Sequence, residues 1–319
     1  MKRTISRPAP EPASERDAAW FEELADAVGR GRAGLLARVS RLRSGTPRVA
    51  DAASVLACLA ETGQSGDSAA CEAAVRRLLE PARPLDADET AAVLVALGRS
   101  GHATRAACAA TVYEGINRLL DAQDRGGGWG VPGAPGCPGV TGRVLEALGH
   151  YGFRVGQPPV AAAVKFVLAH QEESGAWVVR GDGIAASRSA LAGLHAIGFD
   201  VTLPAARRAV RWLKEAQTAD GGWGAADAGA AAPTACALLG LLAAGEADGP
   251  EVRAGAEFLV GTQHADGGWD DAAGCLPLAA LARYANAVGD RPSGGGPIRR
   301  DAGHGAPGPT AGPRRRADR

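Results

Sequence analysis

The segment Asp86-Ala-Asp-Glu-Thr-Ala91 places three carboxylates within four residues. Like charges crowded together favour a proton being kept on one of them, so the group could serve as a general acid. The same residues at the start of a helix would also act as an N-cap and an acidic first turn. Locally, both readings stand. Three arginines, Arg48, Arg143 and Arg188, lie at or near the starts of apolar helical runs. Helix N-termini attract anions and guanidinium groups pair bidentately with phosphate, which suits a diphosphate. The alternative is that these arginines are solvated or neutralise Asp86, Asp88 and Glu89. Asp270-Asp271 is followed by Ala-Ala-Gly, so no Asp-Asp-x-x-Asp motif for magnesium-assisted ionisation is present. Neither an Asp-x-Cys pair nor any His–Cys pair at ligand spacing occurs among six His and six Cys, which argues against zinc.

A repeat must position these residues. Gln123, Gln171, Gln217 and Gln263 each precede a tryptophan by six residues, giving Trp129, Trp177, Trp223 and Trp269. The period is 46 to 48 residues, which marks one supersecondary unit per repeat. A helical run with a polar stripe precedes each Gln. A nearly all-apolar, small-residue run follows each Trp, opening at Thr141, Ser187, Thr234 or Leu276 and ending in Gly149, Gly198, Gly245 or Gly289. Runs of the second kind also occupy 49–63 and 86–98. A helix apolar on most sides is buried and a striped one lies outside. Outer partners are available at 18–43, 69–79, 107–120, 160–170, 205–216 and 252–262. The pattern predicts an all-α (α/α)6 barrel of six inner and six outer helices, with the inner N-termini on one rim. Gly permits a tight reversal at each Gln–Trp turn, the Gln amide can satisfy backbone groups of a neighbouring helix end, and the Trp ring packs between units.

Bulk properties narrow the function. The 319 residues carry 35 basic and 35 acidic side chains, so net charge points to neither nucleic acid nor membrane. No apolar leader and no run of 18 apolar residues is present. Scattered Cys58, Cys71, Cys108, Cys137, Cys236 and Cys275 read as small core residues in a reducing compartment, which gives a cytoplasmic expectation. The expected organisation is a disordered segment at 1–16, a single barrel at 17–290, and a disordered Gly/Pro/Arg tail at 291–319.

Together the Gln–Trp turns and the Asp86–Ala91 motif resemble the class II terpene cyclases, with the squalene–hopene cyclases closest in pattern. Asp86-Ala-Asp-Glu-Thr-Ala91 is similar to that family's DxDD-Thr-Ala motif, with Glu89 replacing the last Asp. The stretches 140–149, 233–238 and 276–284 are similar as well, and all the motifs fall in the family's order. The resemblance covers 85–289 strongly and the first 84 residues weakly. It implies that Asp88 is the general acid protonating an alkene or epoxide of an isoprenoid, with Asp86 and Glu89 positioning it by hydrogen bonds.

Three departures qualify that expectation. Hopene cyclases carry His where this chain has Arg143. An adjacent arginine makes a carboxyl a stronger acid but leaves less of it protonated, and Arg143 is equally suited to a diphosphate. Only about 85 residues precede the motif, so the second barrel domain of the hopene cyclases is expected to be missing. Finally, aromatics make up 4% of the chain, with four Trp in the turns, Phe166, Trp212 and Phe258 on outer helices, and only Tyr151 and Tyr284 on inner ones. A long cation cascade is therefore not expected. The expected function is protonation-initiated cyclisation of a linear isoprenoid such as farnesyl or geranylgeranyl diphosphate. The alternative is a non-catalytic isoprenoid-binding or scaffold subunit. No cofactor is expected, except magnesium accompanying a diphosphate. A second copy, a separate barrel subunit or a lid from residues 1–45 is expected to cover the rim.

Overall fold

Apolar periodicity resolves into helices throughout. The computed structural model describes residues 15–41, 48–64, 66, 68–81, 83–224, 229–269 and 275–289. These form α1 (Glu15–Arg41), α2 (Val49–Glu61), α3 (Ala69–Leu79), α4 (Ala87–Arg99), α5 (Ala106–Asp121), α6 (Pro138–His150), α7 (Pro158–Ala169), α8 (Ile184–Ala196), α9 (Pro204–Glu215), α10 (Ala231–Ala243), α11 (Pro250–Gly261) and α12 (Cys275–Gly289). Among the described residues the extended pairing is a single isolated bridge, Val179 to Asp182. The segments expected to be disordered, 1–16 and 291–319, lie outside the described residues apart from Glu15 and Arg16, which open α1.

Even-numbered helices form the inner ring. Each packs on the next, and α12 returns to α2 to close it. Helices α6, α8 and α10 are buried on nearly every side. The outer helices bury one stripe; α9 buries Ala206, Ala209, Val210 and Leu213, and proline opens α7, α9 and α11 at N1. This is the (α/α)6 barrel that the repeat predicts.

The four turns share one geometry. Each Trp indole N–H donates to a carbonyl ten residues upstream, at Leu119, Val167, Leu213 and Leu259. Each Gln Nε2 donates twice. One acceptor is its own turn's Gly carbonyl (Gly127, Gly175, Gly221, Gly267) and the other lies in the next outer helix (Pro159, Ala205, Glu251, Ala27). The acceptors in α7, α9 and α11 are first-turn carbonyls rather than orphaned end groups. Gly127, Gly175, Gly221 and Gly267 have φ between +81° and +96°. A Cβ there would meet the backbone oxygen of Ala162, Arg208, Ala254 or Arg30 at 2.6, 2.6, 2.9 or 2.2 Å. Glycine is thus required on both conformational and steric grounds.

Three inner helices begin a turn earlier than the sequence suggests. Thr141, Ser187 and Thr234 do not open α6, α8 and α10; they sit inside them, fully buried. Their hydroxyls accept the backbone N–H of Trp129, Trp177 and Trp223 at 3.0, 3.0 and 2.9 Å. The hydroxyl serves the turn rather than its own helix end. Gly149 likewise does not terminate α6. It lies in the helix, where an added Cβ would fall 2.6 Å from the Ala196 oxygen. Gly142 and Gly193 bring α6 and α8 equally close, which narrows the barrel interior on that side.

Candidate active site

The carboxylate cluster divides in two. Asp86 is the N-cap of α4: its carboxylate accepts the Glu89 N–H at 2.9 Å, and Glu89 accepts the Asp86 N–H at 3.2 Å. This is a capping box. Glu89 also pairs with Arg83 through two hydrogen bonds, at 2.6 and 3.0 Å. Asp86 and Glu89 therefore bond to each other's backbone and to Arg83, and none of these hydrogen bonds reaches Asp88. Asp88 instead pairs with the Nε of Arg143 on the neighbouring inner helix, α6. Both side chains are about one-third exposed, at 32% and 34%. The Nη1 of Arg143 approaches the Ser189 hydroxyl on α8 at 3.5 Å. Thr90 is buried beside a separate gap between α3, α4 and α5.

Inside the ring lies a cavity of about 250 Å³. Arg143, which holds Asp88, is in its wall, as is Arg188. Arg48 is exposed at the start of α2 and is not part of the wall. The structure thus puts Arg143 and Arg188 in one wall, ties Asp88 to it through Arg143, and leaves Arg48 apart. Ala53, Ala57, Ala92, Val95, Leu239 and Leu276 supply apolar surface. No aromatic side chain lines the cavity among the described residues. Tyr151 instead donates to the Leu94 carbonyl at 2.9 Å, and Tyr284 is buried beside Trp20. Phe166 and Phe258 lie under the turn glycines Gly128 and Gly222, and Trp212 lies against Gly183.

A charged chain that sequence reasoning missed lies towards the C-terminal ends of the inner helices. Arg283 donates to Glu61 at 2.8 Å, Arg99 donates to Glu61 at 3.0 Å, and Arg99 also binds Glu146. Arg99 and Glu146 face the cavity. Burial opposes ionisation of Glu146, but Arg99, Arg188, Arg283 and His150 outweigh it and hold its carboxyl at about 2. The partners stand far apart in sequence, and the only early sign was a charged residue within each apolar run. Among the described residues no group of three or more His, Cys, Asp or Glu side chains could hold a metal. No helix there is long and apolar enough to cross a membrane.

Residues 133–286 match the family described as the squalene–hopene cyclase C-terminal domain. A search of curated proteins gives no match. Among solved structures, the chain is similar to ent-copalyl diphosphate synthase from Streptomyces platensis, with 24% identity over 76% of this chain and 50% of that one, at a TM-score of 0.56. It thus spans about half the length of that synthase. It is also similar to the type II terpene cyclase MstE from Scytonema, solved as a variant with its substrate geranylgeranyl dihydroxybenzoate. There the identity is 15%, the coverage 85% of this chain and 99% of that one, and the TM-score 0.64. A structure described as a possible member of the GH105 family, from Salmonella enterica, aligns with 14% identity over 88% and 99% of the two chains at a TM-score of 0.59. At these identities the likenesses establish the fold, which other chemistries share. The family match and the type II cyclase neighbours agree with the class II terpene cyclase, squalene–hopene cyclase-like resemblance read from the motifs.

Proposed function

From a squalene–hopene cyclase-type domain carried on a class II terpene cyclase fold, we propose that this protein cyclises a linear isoprenoid by protonation, with Asp88 as the general acid. The observation that carries this reading is the position of Asp88. It is the one carboxylate of its cluster not used in capping, and its partner Arg143 stands in the cavity wall. An alkene is a very weak base, so the donor must be strong and water must be kept away. Arg143 stabilises the carboxylate left after transfer, which favours the forward step. Asp86 and Glu89 act one step removed, by fixing the first turn of α4. The proton added at the chain's far end is balanced by one lost when the cation is quenched, so product and substrate are isomers. This chemistry needs no metal; magnesium would accompany only a diphosphate head group.

The cavity's wall supports a short cascade. With no aromatic faces in the described wall, cation stabilisation over many ring closures has no support. Geranyl and farnesyl chains suit this better than geranylgeranyl. Dryness also requires a cover over the N-terminal rim, supplied by a second copy or a separate barrel subunit. Incubation with the diphosphates, free alcohols and free carboxylic acids of all three chain lengths, followed by mass spectrometry, tests the proposal. The expected result is a cyclic isomer from a short substrate. Linear material alone from every substrate would defeat it.

The aromatic-free wall favours a second reading, an isoprenoid-binding subunit without turnover. It is distinguished by tight binding of a prenyl chain that is recovered unchanged.

A further inference from the structure

Among the described residues the charges around the central cavity do not balance, and the residue left over is Arg188. Arg283, Glu61, Arg99 and Glu146 form one continuous chain of two acids and two bases. Asp88 and Arg143 form a second neutral group. Arg188 has no hydrogen-bond or ion-pair partner among the described residues. Its Nε is buried with no acceptor. Glu146 feels its charge, but that carboxylate is bonded to Arg99. Asp182, at the head of α8, is exposed and accepts the Ala185 N–H at 2.9 Å. A buried guanidinium N–H without an acceptor is costly, and this one belongs to a half-buried arginine in the wall of a cavity with apolar surface beside it.

We infer that Arg188 is the receptor for a singly charged oxyanion, a carboxylate, on the head of the ligand that fills this cavity. Among the described residues the excess is one positive charge, which a carboxylate cancels. A diphosphate would bring surplus negative charge next to Glu146. The two oxygens of a carboxylate match the guanidinium fork, and the alkyl part meets Ala53, Ala57, Leu239, Leu276 and Ala279. The ligand class is then a short prenyl chain ending in a carboxylate. This choice of head group rests on the isoprenoid reading given above, but binding can be measured without turnover, so the two can fail separately.

The test is calorimetric titration of the full chain with geranic acid, geraniol and geranyl diphosphate, three ten-carbon probes that differ in head group. Geranic acid is expected to bind about ten- to hundredfold tighter than geraniol, and tighter than the diphosphate. Arg188→Ala should remove that preference, Arg188→Lys should keep part of it, and Arg48→Ala should leave it unchanged. Because Arg188 is unpartnered in the empty protein, Arg188→Met should raise the ligand-free melting temperature while abolishing the rise that geranic acid causes. Equal binding of acid and alcohol, tightest binding of the diphosphate, no binding of any probe, or an acid preference that survives Arg188→Ala in a folded protein would each overturn the assignment.

Discussion

Asp88 owes its position to two residues that do not touch it. Asp86 and Glu89 spend their carboxylates on the capping box, and this leaves the intervening Asp88 pointing at Arg143. The substitutions should therefore separate by kind. Asp86→Asn and Glu89→Gln should lower stability by about 0.5–2 kcal/mol, the usual scale for a lost cap, and reduce turnover partially. Asp88→Asn should leave the melting temperature nearly unchanged and abolish cyclisation. Denaturant unfolding alongside product analysis checks both. The cap belongs to Asp86 and Glu89, which leaves Asp88 for the proposed acid. The family resemblance singled out Asp88, but the hydrogen bonds expected to it from Asp86 and Glu89 go to the capping box instead, and spacing alone cannot show which carboxylate faces a helix 55 residues away. Arg188 was legible as a residue near a helix start but not as the unpaired one. Its status depends on Glu61, Arg99, Glu146 and Arg283 satisfying one another across four helices.

At the scale of the elements, the Gln–Trp turn joins an outer helix, the inner helix that follows, and the next outer helix. The Trp indole, the Trp backbone N–H and the Gln amide each bind a different one of the three. Trp223, fully buried, should cost about 3–5 kcal/mol when replaced by alanine, as large core aromatics do. Gly221→Ala should also destabilise, since it combines φ +85° with a contact 2.9 Å from the Ala254 oxygen. Thr234→Val, which keeps the shape but leaves the Trp223 N–H unsatisfied, should cost about 1–3 kcal/mol. Denaturant unfolding measures all three, and a neutral Trp223→Ala would mean that the turn is not a staple. The repeat period, the alternation of inner and outer helices and the turn glycines were all legible. The hydroxyls were misplaced by one turn because Ser and Thr commonly mark helix starts, whereas here an incoming backbone N–H competes for them. Phe166 and Phe258 were placed on outer helices without a role. Their partners, the turn glycines, lie on the preceding unit.

For the whole molecule, the inner ring is closed by apolar packing and joined by charge at its C-terminal end, and the two respond differently to pH. Glu146 is ordinarily a carboxyl of 4.5 but is held at about 2 in the fold. A depressed folded-state value means that the unfolded chain takes up the proton first. The stabilisation is therefore complete above about 4.5 and is lost as pH falls through about 2. Urea unfolding from neutral pH to pH 2 should show the wild-type protein losing more stability over that window than Glu146→Gln does. Parallel curves would remove Glu146 from the account. The cover proposed for the rim also belongs to this scale, and where a second copy supplies it, light scattering should show a dimer or larger assembly. The most direct test of protonation by Asp88 is to run the reaction in deuterium oxide and weigh the product. Cyclisation begun by a proton from Asp88 should place a single deuterium in the cyclic product, and Asp88→Asn should yield none of that product. A cyclic product without deuterium, or one still formed at the wild-type rate by Asp88→Asn, would contradict the account.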